Sequence, residues 1–269
     1  MNRRLCIALV SGVLATVLLS APTPLLAQKK TTKPAPAKLP SPAKIMDDSA
    51  DAIGSAAAFA KLKTMRMRGK ISIPAQNITG TMETQMKFPD KVYVLQNIAG
   101  FGKAEQGYDG KVGWSLDPIN GLRTLAGGEL DQMKRQSDEI KTNDWRKLYQ
   151  KPVLLGIRKV GTMSTYAIQM TPKASGKPVV TYYDIKTKLP VRTDVVVETA
   201  QGSVPTQSFS SDFRSVGGVK IPFTTRQVVG GVSEVNVTFD SVQVNVPVDE
   251  KLFAKPKAPA PKMESPAKP

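Results

Sequence analysis

Residues 207–256 (QSFSSDFRSVGGVKIPFTTRQVVGGVSEVNVTFDSVQVNVPVDEKLFAKP) constrain the fold most, because side-chain character alternates along them with the period of a strand. Val219, Ile221 and Phe223 fall on one face, and Lys220, Pro222 and Thr224 on the other. Gly230 and Gly231 can take positive φ in a tight turn, after which Val235, Val237 and Phe239 resume the pattern. Two antiparallel strands sharing an apolar face follow. Past Asp240 and Ser241 the apolar set shifts to Val242, Val244 and Val246, a change of phase that one extra residue in a bulge produces. The sheet is expected to bend there, around either a packed core or a container.

The inventory of reactive side chains excludes several classes of chemistry. Histidine is absent and Cys6 is the only cysteine. Arg3 and Arg4 precede an apolar run from Ile7 to Leu19, then Pro22, Pro24 and Ala27, the order of a cleavable export signal. Cleavage after Ala27 removes Cys6, leaving no disulfide, thiolate ligand or cysteine nucleophile. Without histidine there is no Ser-His-Asp hydrolase and no histidine-ligated zinc site. The Ser-x-x-Lys matches at Ser41–Lys44 and Ser265–Lys268 lie in Pro/Ala/Lys-rich sequence and are read as composition. No phosphate-cradling loop is present, since Gly127-Gly128 and Gly217-Gly218 lead to no Lys-Ser/Thr pair. No metal, cofactor or catalytic residue is expected.

The formal charge is +16, but only +5 of it belongs to residues 45–250. The rest sits at the ends, so the charge points to anionic envelope surfaces or to solvated spacers, not to nucleic acid. The expected organisation is an export signal over 1–27, a Pro/Lys-rich linker over 28–43, one domain over 44–254 and a Pro/Ala/Lys-rich disordered tail over 255–269.

Within the domain, Ser41 can cap a helix with Pro42 at its first position, and Met46, Ala50, Ile53, Ala57 and Ala60 form one stripe. Strands are expected at Thr64–Ile73, Ile78–Phe88, Val92–Leu95, Lys111–Leu116, Tyr166–Met170, Val179–Ile185 and Val191–Val197, with Asn97–Gly110 a glycine-rich loop. A helix starts near Gly128 with Leu130 and Met133, and Asn143 can cap another carrying Trp145. About ten strands and three helices make an α+β arrangement.

The first candidate site is the set of inward-facing methionines Met65, Met67, Met82 and Met86, with Phe88 beside them and Tyr166, Ile168 and Met170 on a later strand. Thioethers are flexible and polarizable, so a wall of them conforms to acyl chains of varied shape, and it also packs an ordinary core. Trp114 and Trp145 occupy segments where a cavity mouth or a core filler could lie. Phe101 between two glycines, with Leu130 and Met133, marks a candidate loop or lid.

Several short segments carry a resemblance to a known family. They are Asp51-Ala52-Ile53-Gly54 leading into a strand with Arg68-Gly69-Lys70, and Gln106-Gly107-Tyr108-Asp109-Gly110-Lys111 with Trp114. The hairpin Tyr183-Asp184 to Thr187, Leu189 and Pro190 is another, followed by Phe209 to Phe213, Val219 to Phe223 and Asn245 to Asp249 with Leu252-Phe253. In these the chain resembles the LolA-like outer-membrane lipoprotein-sorting family over residues 44–254, and similar segments accompany some bacterial insulinase-type peptidases. The resemblance implies a strongly curved antiparallel half-barrel with helices over its concave face, enclosing an apolar cavity. It also implies a monomeric periplasmic carrier of lipid or lipoprotein acyl chains in transient contact with a membrane or a membrane-bound partner. An arginine reaching from an early strand into the lid belongs to that pattern, and Arg66 and Arg68 lie on such a strand. A self-filled interaction module, such as an envelope stress sensor or a peptidase companion, is the second reading, and an enzyme the third.

Overall fold

The structure is a computed structural model, and it describes residues 39–141, 144–174, 176–200 and 202–257. The expected export signal lies outside these residues, as do most of the linker and tail and the Asn143 cap.

The chain is mostly β, with one antiparallel sheet as expected but fewer helical residues than the α+β arrangement read from the sequence. Thirteen strands are present among the described residues, against the ten or so counted in the sequence: β1 (Thr64–Ile73), β2 (Ile78–Lys87), β3 (Lys91–Ile98), β4 (Gly102–Tyr108), β5 (Gly113–Asp117), β6 (Gly121–Thr124), β7 (Val153–Val160), β8 (Met163–Met170), β9 (Val179–Asp184), β10 (Pro190–Thr199), β11 (Gly202–Val216), β12 (Val219–Val229) and β13 (Ser233–Val244). They form one antiparallel sheet in the order β6-β5-β4-β3-β2-β1-β13-β12-β11-β10-β9-β8-β7. Two hairpin meanders are thus joined where the first strand meets the last. The sheet is open, with β6 and β7 at its edges, and is not rolled into a strongly curled barrel wall.

Among the described residues four short α-helices accompany it: α1 (Pro42–Ile53), α2 (Ala56–Ala60), α3 (Gly127–Lys141) and α4 (Trp145–Leu148). The first stripe read from the sequence belongs to two helices, not one. Ser41 Oγ accepts from Lys44 N to start α1, which makes the Ser41–Lys44 match a helix cap. At Gly54 the chain passes so close to the β11–β12 turn that an added Cβ would lie 3.0 Å from the Gly218 carbonyl oxygen, and Ser55 then caps α2.

The β1 pattern explains the sheet's two faces. Met65, Met67 and Ile71 are buried on one face with Met86 opposite Met65, while Arg66, Arg68 and Lys70 alternate onto the other. We call the methionine face inner; α1–α4 lie on it. Helix α3 packs Leu130 and Met133 against Tyr108 and Leu125, and its Gln132 side chain accepts from Glu198 N on β10. Strands β4 and β10 are seven places apart in the sheet, roughly 34 Å if it were flat. A helix about 10–12 Å across can touch both only if the sheet bends around it.

The bulge expected after Phe239 is present. Gly69 pairs with Phe239 and Arg68 with Ser241, which leaves Asp240 as the extra residue. Its consequence is a fork. Strands β12 and β13 pair only over Thr224–Val229 and Ser233–Thr238. Below that point Val219–Phe223 pairs with β11 alone and Phe239–Val244 with β1 alone, and side chains, not ladder hydrogen bonds, flank the gap.

The outer face has its own cover. The C-terminal segment places Val248, Leu252 and Phe253 over Tyr93, Leu95, Trp114 and Leu116. Thr64 Oγ1 donates to the Val246 carbonyl at 2.5 Å, Arg66 to the Pro247 carbonyl at 2.6 Å, and Glu250 pairs with Lys87 and Lys91. Both faces of β3–β5 are therefore covered over part of their length, which a single-sided pattern does not reveal.

Candidate functional site

The space left on the inner face is largely apolar, with Ser49, Thr181 and Thr193 among its lining, and runs beneath α1 and α2. One cavity of about 270 Å³ is bounded by Met46, Ala50 and Ile53 of α1, Trp145 and Tyr149 around α4, and Met170 and Tyr183 of the sheet. A second, of about 330 Å³, lies at the fork, between Leu62, Met65, Met67, Met86 and Phe88 on one side and Val219 to Pro222 on the other. Ile53, Phe59 and Pro190 line both, so the two cavities meet beneath the α1–α2 junction. A third, of about 370 Å³, lies between Met86, Val92 and Val94 of the sheet and Met133 and Gln136 of α3, and shares Met86 with the second. Each is near the lower end of the size of small-ligand sites, ~300 Å³, and the first two adjoin as one trough.

The sequence pattern accounts for this lining. On β1 and β2 the apolar residues facing the helices are methionines, whose unbranched chains fill space less rigidly than branched ones. At the fork the missing β12–β13 pairing lets the cavity extend between strands. An acyl chain could lie along the trough and exchange water for thioether and hydrocarbon contacts, at about 0.8 kcal/mol per methylene.

A polar latch closes one end. Asp47 on α1 accepts from Trp145 Nε1 at 2.8 Å and takes both terminal nitrogens of Arg146, at 2.6 and 2.8 Å, while the Arg146 guanidinium stacks over the Trp145 ring at 4.3 Å. The Arg146 hydrogen bonds hold the Asp47 carboxyl below its usual range, with the Trp145 bond adding to them and desolvation opposing. A lowered carboxylate pKa means that the latch's contribution is complete above the ordinary carboxylate range. It is lost only as pH falls through the lowered value. Asp47→Ala leaves the indole N–H without its acceptor and is expected to cost about 1 kcal/mol, since both charged partners are half-exposed. The loss should appear as lower amide protection factors, corrected for the intrinsic exchange rate, in α1 and α4 at pH 7 with β1 and β2 unchanged; wild-type protection factors should not change between pH 8 and pH 5.

The candidate residues separate into groups. Met65, Met67, Met86 and Phe88 line the fork cavity, Trp145 and Met170 line the one under α1, and Met133 lines the third. Ile168 is fully buried in a cluster with Ile45 and Met46, and Tyr166 packs against that cluster, so these two form the floor behind the wall. Met82 shares the phase of Met86 but borders none of the three cavities. Leu130 packs into the small cluster under α3. Phe101 is 40% exposed in the β3–β4 turn, away from the helices. Trp114 corrects the expectation most sharply: it is on the outer face, 2% exposed, and donates Nε1 to the Phe253 carbonyl at 2.9 Å. Arg66 and Arg68 also point outward, to the Pro247 carbonyl and Glu83, and neither reaches a lid. Phe59, Leu62 and the Asp47–Arg146 pair were not singled out in the sequence; Ile53 was marked as a helix-stripe and resemblance position and Pro190 as a resemblance position, neither as part of a site.

No family model matches this sequence, and no curated protein sequence does. Solved structures do. A DUF1329 family protein from Desulfovibrio piger superposes with a TM-score of 0.53 at 16% identity, covering 79% of this chain and 96% of that one. A LolA superfamily protein from Nitrosomonas europaea gives 0.53 at 12% identity, over 81% and 99% of the two chains. A protein described as a putative outer membrane lipoprotein-sorting protein domain, from Vibrio parahaemolyticus, gives 0.52 at 9% identity, over 79% and 97%. At these identities the likeness is one of fold: the chain is similar in structure to LolA-superfamily, lipoprotein-sorting and DUF1329 proteins over most of its length.

Proposed function

We propose that this chain is a non-enzymatic periplasmic binding protein for lipid or lipoprotein acyl chains, working as a carrier that shelters them between the bent sheet and α1–α2. The observation that carries the reading is the trough itself: two adjoining apolar cavities sharing Ile53, Phe59 and Pro190, walled by methionines and opened by the fork between β12 and β13. The fold likeness to lipoprotein-sorting proteins is consistent with this role. Contact of α3 with both β4 and β10 supports a concave inner face, as a half-barrel container requires. The Asp47 latch between α1 and α4 is half-exposed, so that part of the helical cover can open to admit and release a chain. The lysines of residues 28–44 and 251–269 suit brief contact with an anionic membrane surface, where cargo is taken up or delivered.

Native mass spectrometry of the mature protein purified from an envelope fraction tests the reading. Bound lipid or lipopeptide, displaced by added fatty acid, is the expected result. A protein that emerges ligand-free, takes up no acyl chain at micromolar concentration and instead retains a protein partner sinks it in favour of an interaction module.

A further inference from the structure

A fourth cavity, of about 270 Å³, opens beside the trough and differs from it in charge. Arg135 and Asp138 of α3, Lys147, Leu148 and Tyr149 at α4, and Pro172 and Lys173 after β8 surround it. Among the described residues three cations and one carboxylate line it. The Arg135 guanidinium lies against the backbone of Gly176, where an added Cβ would stand 2.7 Å from Cζ. Lys173 Nζ donates to the Arg146 carbonyl at 2.7 Å and has no carboxylate partner among the described residues, and Lys147 has neither an ion pair nor a side-chain hydrogen bond among them.

Tyr149 lines both this basic cavity and the apolar one beneath α1. It is fixed from both sides, since its N–H bonds to the Trp145 carbonyl at 2.9 Å and its backbone bridges to Pro172. A positively charged mouth thus adjoins an apolar trough across one aromatic wall. Resting on the acyl-chain reading above, we propose that Arg135, Lys147 and Lys173 receive the phosphate headgroup of an anionic amphiphile whose acyl chain lies beyond Tyr149. Among the described residues no charged side chain lines the adjoining cavity under α1, and the one cation of the trough, Lys220, lies at the fork beyond Ile53, Phe59 and Pro190. Cations on flexible stems suit a headgroup that must also be released.

Two probes with the same acyl chain isolate the headgroup: a monoacylglycerol, and the lysophosphatidic acid that differs from it only by phosphate. Both are titrated into the full mature chain below their aggregation concentrations, so that no vesicle surface attracts the lysine-rich ends. The phosphate-bearing probe should bind about tenfold tighter. Lys147→Gln with Lys173→Gln should bring the two within about twofold of each other while leaving monoacylglycerol affinity unchanged. Lys70→Gln with Lys111→Gln, an equal change of net charge elsewhere, should retain the preference. Equal affinities in wild type would overturn the headgroup assignment and leave the acyl reading standing, whereas failure of both probes to bind would remove both. Inorganic phosphate binding as tightly as lysophosphatidic acid would identify a free-phosphate site and overturn the link to the chain.

Discussion

Ile53→Trp is expected to abolish high-affinity binding of long acyl chains while leaving the fold intact. Ile53 is half-buried at the end of α1 and lines both the cavity under α1 and the one at the fork. An indole there has empty volume on either side to enter, about 270 and 330 Å³, so it need not push against packed neighbours. It would instead divide the trough. A chain able to use both cavities would lose the methylenes beyond the block; four of them are worth ~3 kcal/mol, a loss of roughly two orders of magnitude in affinity. The signature is a dependence on chain length. Displacement titrations should show sixteen-carbon chains weakened by about a hundredfold and eight-carbon chains little changed, with the melting temperature within a few degrees of wild type. Uniform weakening of both would mean that the cavities are not used as one site. Unchanged affinity for the long chain would mean that it binds elsewhere.

The sheet was legible where only one face is buried. In β1, Met65, Met67 and Ile71 against Arg66, Arg68 and Lys70 gave a strand whose limits match those observed, and the phase change after Phe239 located the bulge. Strand β4 was hidden because GKAEQGY has no apolar alternation; Gly107 is there because the Trp114 ring lies on it, 2.3 Å from where a Cβ would be. Strand β7 was hidden by Gly156, whose φ of +102° accompanies a break in register between Leu154 and Gly156. The site was legible as a set of methionines but not as a shape. Asp47 and Arg146 are distant in sequence and meet only because α4 folds back over α1, so no local pattern links them. Trp114 shows the limit most clearly. Alternation in Gly113–Leu116 places Trp114 with Leu116 but cannot say which face they share, because helix α3 covers one side of β5 and residues near the C-terminus cover the other.

That placement separates stability from binding in Trp114→Ala. Trp114 is among the largest fully buried side chains, packed with Tyr93 and Phe253, and its indole N–H satisfies the Phe253 carbonyl. Truncation removes the ring from a site that cannot collapse, because β4 and β5 are fixed by ladder pairing and the covering segment by Arg66, Lys87 and Lys91. A cost of about 3–5 kcal/mol follows from cavity formation. The orphaned carbonyl adds to it unless water enters. For a domain of this size that corresponds to a melting temperature lower by roughly 10 °C. Acyl-chain affinity measured well below the new transition should nevertheless stay within about twofold of wild type, since the sheet separates Trp114 from the methionine trough. A variant that melts normally would show the outer cover to be dispensable. One that melts lower and also loses affinity for short and long chains alike would show that the C-terminal clasp sets the width of the fork on the opposite face, which would move the control of binding from the helices to residues 247–253.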